Sequence, residues 1–123
     1  MVWLLVFAFG GVGAAARYGV GALLPPRGGF PWATLVVNVA GCVAIGVIFT
    51  VFEETRALAP PELRAGILAG LLGGFTTFST FGLETWRLVA EGALGLAATY
   101  VAASVLGGLL GVVLGVAAAR GLH

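Results

Sequence analysis

The chain has 123 residues, of which 60% are hydrophobic and only 9% are charged, and its formal net charge is +1. Soluble globular domains carry about 25% charged residues, so this composition excludes that class and indicates an integral membrane protein. The weak charge also excludes a basic groove for nucleic acid.

Four apolar segments follow one another along the chain, and each is long enough to cross a bilayer as a helix of about 20 residues. The stretches PPRGGFP and EETRALAPPELR separate the first three segments, and both are rich in residues typical of loops. The sequence therefore predicts an all-α membrane protein with a single four-helix transmembrane domain. The predicted spans are residues 2–24, 31–52, 65 to about 86, and 93–119.

All six basic residues are arginines, and they give no preferred orientation. With four spans they divide three against three between the two sides of the membrane, so the excess of basic residues that marks cytoplasmic loops is missing. An antiparallel homodimer is therefore one hypothesis, and a chance balance in a short sequence is the other. On the side of the termini lie Arg56, Arg64 and Arg120, and toward the opposite side lie Arg17, Arg27 and Arg87.

Small residues recur in the third and fourth spans at every fourth position, a spacing that lets helix backbones approach closely. The pattern indicates close helix contacts, and leaves open whether they lie within one subunit or between two. The single cysteine, Cys42, cannot form an intrachain disulfide and is expected to be a small core residue. The glycines concerned are Gly66, Gly70 and Gly74, and then Gly107, Gly111 and Gly115.

Three of the four spans carry one narrow polar face, because residues three or four apart share a side of a helix. Polar groups are costly in hydrocarbon, so three aligned faces favour an ion pathway. For any single residue, a hydrogen bond to a neighbouring helix is the simpler alternative. The faces consist of Thr34 and Asn38, then Thr76, Thr80, Glu84, Arg87 and Glu91, and finally Tyr100 and Ser104.

The polar faces consist mainly of neutral hydrogen-bond donors, namely an amide, hydroxyls and a phenol. Such a lining suits a strongly hydrated anion that must lose water and still leave, because a buried Lys or Arg would hold it too tightly. Phe78 and Phe81 are three residues apart, and the positive edges of their rings favour an anion as well. Ordinary core packing is the alternative for both rings.

The third span contains the sequence GGFTTFSTF at residues 73–81. Gly73 and Gly74 weaken a helix, so we expect the span to be broken near its middle at these glycines. Carbonyl oxygens exposed by such a break need protein, water or an ion to satisfy them, and they favour cations such as sodium.

This nine-residue stretch, with TLVVNVAGC in the second span and GAAARYGV in the first, resembles the small fluoride channels of the Fluc (CrcB) family. The four-span layout agrees over essentially the whole chain. The match at residues 73–81 is highly specific, whereas the other two would be weak alone. The resemblance implies an antiparallel, dual-topology homodimer with two fluoride pores and a structural sodium ion at the dimer axis.

The resemblance also implies a role for individual residues. Phe78 and Phe81 would contact fluoride, and Asn38 would donate to it from its amide. The backbone carbonyls of Gly73 and Thr76, two from each subunit, would bind sodium. A polar track would be formed by Thr80, Glu84, Tyr100 and Ser104, with Arg17 at the aqueous mouth of the pore.

One position departs from the family pattern. Some family members carry a further hydroxyl about one turn past Ser104, where this chain has Gly108. The far end of the polar track therefore differs here, and water would have to meet the ion at that point.

The expected function is passive efflux of fluoride from the cytoplasm, which lowers its toxicity, through a channel in a bacterial inner membrane. The protein is not expected to be an enzyme. A small proton-coupled exporter of cationic compounds is one alternative, although its only candidate carboxylate, Glu84, lies near the end of the third span. A noncatalytic membrane assembly subunit would explain the glycines and leave the polar faces without a purpose.

Overall fold

The computed structural model describes residues 1–55 and 58–122, so Arg56 of the topology argument lies outside the described residues. Four helical spans are long and apolar enough to cross a membrane, as predicted. Within the described residues the only extended pairing is an isolated bridge between Arg27 and Phe30. The helices are α1 (Val2–Leu23), α2 (Trp32–Glu54), α3 (Pro61–Ala65, continued by π-helical Gly66–Leu72 and by Gly73–Phe75), α4 (Phe78–Ala90) and α5 (Leu94–Gly121).

Prolines and glycines set several helix ends. Pro61 begins α3, where a residue without an N–H loses nothing, because the first N–H groups of a helix have no partner within it. Gly92 ends the third span with a φ of 78°, a left-handed conformation that favours glycine. The third span is longer than predicted at both ends, since it covers Pro61–Ala90 rather than residues 65 to about 86.

The helices pack as two close pairs, α1 with α3 and α2 with α5, and glycines make both crossings possible. A Cβ atom added at Gly74 would collide with the backbone oxygen of Gly10, and one added at Gly115 would collide with that of Val43. Each of the six regularly spaced glycines likewise meets another helix of its own subunit. The question left open by the sequence is thus answered in favour of close packing within one subunit.

The third span is broken near its middle, as predicted, but the break does not lie at the glycines. Gly73 keeps helical angles (φ −63°, ψ −36°), and Gly74 is helical as well. The extended residues are Thr76 (φ −84°, ψ 159°) and Thr77 (φ −151°, ψ 124°). The prediction for Gly73 and Gly74 was wrong in position, because Gly74 serves the close crossing with α1 and the break is stabilised from another helix.

The loop between α1 and α2 directs one aromatic ring into the protein. Gly28 and Gly29 follow each other with φ values of 59° and 79°, which residues with a side chain rarely adopt. The turn that they form buries Phe30, whose ring meets Tyr100 edge to face at 5.5 Å between centroids. This contact ties the loop to α5 beside the polar faces.

Candidate functional site

The break between α3 and α4 is held open by Asn38, from the first half of α2. The Asn38 Nδ2 donates to the Thr77 carbonyl at 2.8 Å, and the Thr77 N–H donates to Asn38 Oδ1, also at 2.8 Å. One side-chain amide thus pairs with both backbone groups of an extended residue. This pairing satisfies groups that would be costly to leave bare in a membrane.

Thr77 also starts the helix that follows. Its Oγ1 accepts from the backbone N–H of Thr80 at 3.2 Å, which is the hydrogen bond of an N-cap residue. The same Oγ1 donates to Thr80 Oγ1 at 3.2 Å. The sequence analysis did not single out Thr77, although a threonine directly before the first residue of a helix is a recognisable N-cap signal.

Arg17 of α1 reaches the end of α3. Its Nε donates to the Gly74 carbonyl at 3.1 Å, a group whose helical partner is lost because the chain is extended at Thr76 and Thr77. Thr76 turns its hydroxyl back to the Leu72 carbonyl at 2.9 Å. Arg17 therefore contacts the break itself as well as the cavity beside it.

The two predicted cation ligands, Gly73 and Thr76, lie at this point. In the described part of the chain, the carbonyls of Gly73 and Thr76 accept no hydrogen bond from a side chain or from a loop residue. Arg17 and Asn38 thus satisfy other groups at the break and leave these two oxygens available. Gly73 is exposed on the surface of the single subunit.

Glu84 joins three helices. Its Oε1 accepts from Thr34 Oγ1 of α2 at 2.8 Å, and its Oε2 accepts from Tyr100 Oη of α5 at 2.7 Å. Tyr100 has no exposed surface and lies between Phe30 and Phe81, whose ring centroids are 5.5 Å and 5.2 Å away. The phenol and the carboxylate therefore form one fixed polar unit in an aromatic setting.

The two phenylalanines of the motif differ in their surroundings. Phe78 is 83% exposed in the single subunit, whereas Phe81 is partly buried against Tyr100. Their own ring centroids are 5.7 Å apart at an interplanar angle of 45°. Phe81 is thus fixed by its own chain, and Phe78 is presented at the surface.

Two cavities flank the break, and both are lined by Thr77. Cavity A has a volume of about 420 Å³ and opens beside the loop between α1 and α2. Cavity B has a volume of about 470 Å³ and lies between α2, α3, α4 and α5. The predicted site residues in cavity A are Arg17, Thr34, Thr80 and Glu84, and those in cavity B are Asn38, Gly73, Thr76, Phe78, Phe81 and Ser104.

The structure thus brings nearly all of the predicted site residues to two adjoining cavities. Tyr100 lines neither cavity and joins the site through Glu84 and Phe81. The stripe predicted for the third span does not extend as far as expected, since Arg87 and Glu91 are exposed and line neither cavity.

Cavity B contains one polar atom without a partner. Ser104 Oγ is buried and makes no hydrogen bond within the described residues. A buried hydroxyl costs free energy unless it is paired. Cys42 also lines cavity B, a position that the expectation of a small core residue did not include.

Comparison with known proteins identifies the family of this chain. A chain from Nocardia farcinica described as "Fluoride-specific ion channel FluC 2" is 50% identical, over 97% of this chain and 85% of the relative. Chains from Methylobacterium sp. ("Fluoride-specific ion channel FluC", 46%) and Geobacillus kaustophilus ("Fluoride-specific ion channel FluC 2", 43%) match over 95% and 98% of this chain and 94% of each relative. The model of the family "CrcB-like protein, Camphor Resistance (CrcB)" matches residues 4–116. This protein therefore belongs to the CrcB family.

Proposed function

We propose that this chain is a fluoride-selective channel through which the ion leaves the cytoplasm down its electrochemical gradient. The observation that carries the proposal is the set of neutral donors that meet beside Thr77, in a chain whose relatives bear the name of fluoride-specific ion channels. The protein is an integral membrane protein and is not an enzyme. Its bacterial relatives support a location in the inner membrane.

The chemistry of the lining suits the task. Fluoride is small and holds its water strongly, so a pore must replace lost water with donors that do not bind the ion for long. An amide NH₂ has two N–H donors, and Asn38 uses one of them on Thr77. The second N–H would be offered to an ion in cavity B, which Asn38 and Ser104 both line.

The rings and the polar unit complete the proposed path. Phe78 and Phe81 would offer ring edges to the anion at the start of α4. Thr80 and Glu84 would line its path through cavity A. The hydrogen bond from Tyr100 would hold the Glu84 carboxylate in place. Arg17 would add a positive charge at the mouth of that cavity, where it attracts anions from solution.

A proton-coupled exporter is less well supported. Its carboxylate would have to bind and release protons and cargo in turn. Glu84 instead accepts hydrogen bonds from both Thr34 and Tyr100.

The test is fluoride flux in liposomes that contain only this protein. With sodium on both sides and no proton gradient, we expect rapid fluoride efflux, recorded with a fluoride electrode, and little efflux of chloride from matched vesicles. Protein-free liposomes give the background. Flux that requires a proton gradient, or uptake of organic cations driven by one, would contradict the channel and support the exporter.

We further propose that two subunits assemble as an antiparallel, dual-topology homodimer. The Phe78 ring and the Gly73 backbone support this proposal. Both lie on the broken span, and both are exposed in the single subunit. A second subunit would complete a pore around Phe78. If both insertions occur, a reporter fused to the C-terminus is found on both sides of the membrane, whereas a single orientation would rule out the antiparallel arrangement.

A sodium ion at the dimer axis is the third part of the proposal. Backbone carbonyls are suitable ligands for a hard cation, and those of Gly73 and Thr76 accept no hydrogen bond from a side chain or a loop residue in the described part of the chain. Two subunits would supply four such oxygens. The ion would neutralise their dipoles at the subunit interface, and it takes no part in moving fluoride.

A further inference from the structure

A phenylalanine outside both cavities is packed against the polar unit of the site. Phe30 belongs to the loop of residues 24–31 between α1 and α2, and its side chain is 8% exposed. Three residues of this loop, Leu24, Pro26 and Pro31, line cavity A, whereas Phe30 lines neither cavity. Phe30 therefore does not act on an ion by touching it, and any effect on transport must pass through a neighbour.

The backbone of the loop directs Phe30 inward. Its N–H donates to the Arg27 carbonyl at 3.1 Å, which closes a turn through the two glycines with positive φ. Its carbonyl accepts from the N–H of Trp32 at 3.0 Å, and the centroids of the Phe30 and Trp32 rings are 4.7 Å apart. The Phe30 ring is thus fixed by its own loop and by the start of α2.

The inner neighbour of Phe30 is Tyr100. The two rings meet edge to face, at an interplanar angle of 81°, and both belong to a buried cluster with Leu88 and Ala97. Aromatic pairs in this geometry are favourable beyond the area that they bury. Because buried side chains are close-packed, the Tyr100 ring depends on Phe30 for its orientation.

The orientation of the Tyr100 ring decides where its hydroxyl points. Tyr100 Oη donates to Glu84 Oε2 while Thr34 Oγ1 donates to Glu84 Oε1, so both oxygens of the carboxylate are occupied. Glu84 and Thr34 also line cavity A. A carboxylate held at both oxygens stays against the wall of the cavity. A carboxylate released by Tyr100 is free to turn into the cavity, where its charge repels an anion.

We propose that Phe30 is a positioning residue of the channel, whose ring holds Tyr100 in the orientation that keeps the Glu84 carboxylate out of the path of the anion. The loop between α1 and α2 thus sets the geometry of the polar unit behind the mouth of cavity A. This inference rests on the proposed fluoride channel. It assigns a role to a residue that the ion does not meet.

The first experiment observes the Tyr100 hydroxyl directly and needs no transport. The chain has two tyrosines, so Tyr18→Phe leaves Tyr100 as the only one. In Raman spectra of the purified protein, the intensity ratio of the tyrosine Fermi doublet reports whether the hydroxyl donates to a strong acceptor. We expect the ratio of a strong donor, and we expect Phe30→Leu to shift it toward the ratio of a weaker donor.

Phe52→Leu is the matched control. Phe52 is 9% exposed, nearly as buried as Phe30, but it lies near the far end of α2 and lines neither cavity. The same substitution there should change neither the doublet nor the fluoride flux. An unchanged doublet in Phe30→Leu, or an equal shift in both variants, would overturn the proposal. Should Phe30→Leu not fold, Phe30→Met takes its place, since the flexible methionine side chain adapts to irregular gaps.

The second experiment is a double-mutant cycle on fluoride flux. Tyr100→Phe removes the hydroxyl that holds Glu84, and Phe30→Leu should misplace it. Each variant should reduce flux about threefold to tenfold, the range expected for the loss of one hydrogen bond. In the double variant we expect flux no lower than in Tyr100→Phe alone, because the hydroxyl that Phe30 positions is already missing. Reductions that multiply would show that Phe30 only packs the loop.

The two experiments separate the possible failures. If wild-type protein carries no fluoride while the doublet still responds to Phe30→Leu, the proposed function fails and the dependence of the Tyr100 hydroxyl on Phe30 stands. If wild-type flux is normal and the doublet does not respond, the channel stands and the assignment of Phe30 is wrong.

Discussion

At the scale of single residues, Phe78 and Phe81 of the same motif differ in what they contact. Phe81 packs against the buried Tyr100 ring, so its aromatic character serves the fold of its own subunit. Phe78, three residues earlier, is 83% exposed and contributes little to that packing. Substitutions at the two positions should therefore separate function from stability.

We expect Phe78→Ile to reduce fluoride flux at least tenfold without weakening the fold, because isoleucine fills space but lacks the positive ring edge. Phe81→Ile should reduce flux and also lower the free energy of unfolding by about 1 kcal/mol, since it loses the aromatic contact with Tyr100. Flux in liposomes and unfolding in detergent followed by circular dichroism measure the two effects.

Phe7→Ile is the matched control, because Phe7 is also 80% exposed but lies on α1 away from both cavities. It should leave flux and stability unchanged. Full flux in Phe78→Ile would assign that ring to lipid or subunit packing.

At the scale of the helices, the break depends on a contact between elements. Thr77 is extended where a helix would otherwise continue, and its two backbone groups bond to Asn38 across 39 positions of sequence. The hydrogen bonds lost from the helix are thus replaced by a side chain from α2 and by Arg17 from α1. The broken span cannot be understood apart from its neighbours.

Asn38→Leu should therefore lower the free energy of unfolding by about 1–3 kcal/mol. The substitution removes two hydrogen bonds and leaves the N–H and the carbonyl of Thr77 without the partner that Asn38 supplies. Thr50→Val is a control on the same helix. It removes a hydroxyl that, among the described residues, bonds to Gly46 O one turn away, and it should cost under about 0.5 kcal/mol. Equal stability of the two variants, measured by unfolding in mixed detergent, would show that Asn38 does not hold the break.

Much of the layout was predictable from local pattern. The lengths of the apolar segments predicted the four spans. The four-residue spacing of polar side chains predicted polar faces, and the fold brings their members to one region. These members are Thr34, Asn38, Tyr100 and Ser104. The position of the break was not predictable from glycine content. It depends on an amide from another helix, and a single-helix pattern carries no such information.

At the scale of the whole molecule, one subunit leaves functional groups at its surface. The Phe78 ring, the Gly73 backbone and the open side of cavity B lie on the same part of the broken span. A second copy of the chain would cover them. The sodium ion proposed there can be tested without disturbing the subunit, because a Cβ at Gly73 has room within its own chain, with its nearest neighbour, Leu68 O, at 3.9 Å.

Gly73→Val should consequently leave the subunit folded and weaken dimer stability and flux, since it adds bulk where the cation and partner would lie. Thr76→Ser should have a smaller effect, because it keeps the carbonyl and a hydroxyl that can reach Leu72 O. Both variants and wild type are compared in sodium and after prolonged exchange into N-methylglucamine. The cation site would be excluded if sodium removal changes neither the flux nor the dimer stability of wild type and if Gly73→Val matches wild type in both measurements.

The break at Thr76 and Thr77 has one more consequence, which concerns the electric field inside the membrane. A helix carries partial negative charge at its C-terminal end and partial positive charge at its N-terminal end. Where α3 stops at Phe75 and α4 starts at Phe78, ends of opposite sign are separated by only two residues. The carbonyl end contains Gly73, for which we proposed a cation, and the N–H end begins at Phe78, for which we proposed an anion. Because these charges belong to the peptide backbone, they do not titrate, and their contribution to the field at the break is the same in acidic and in alkaline solution.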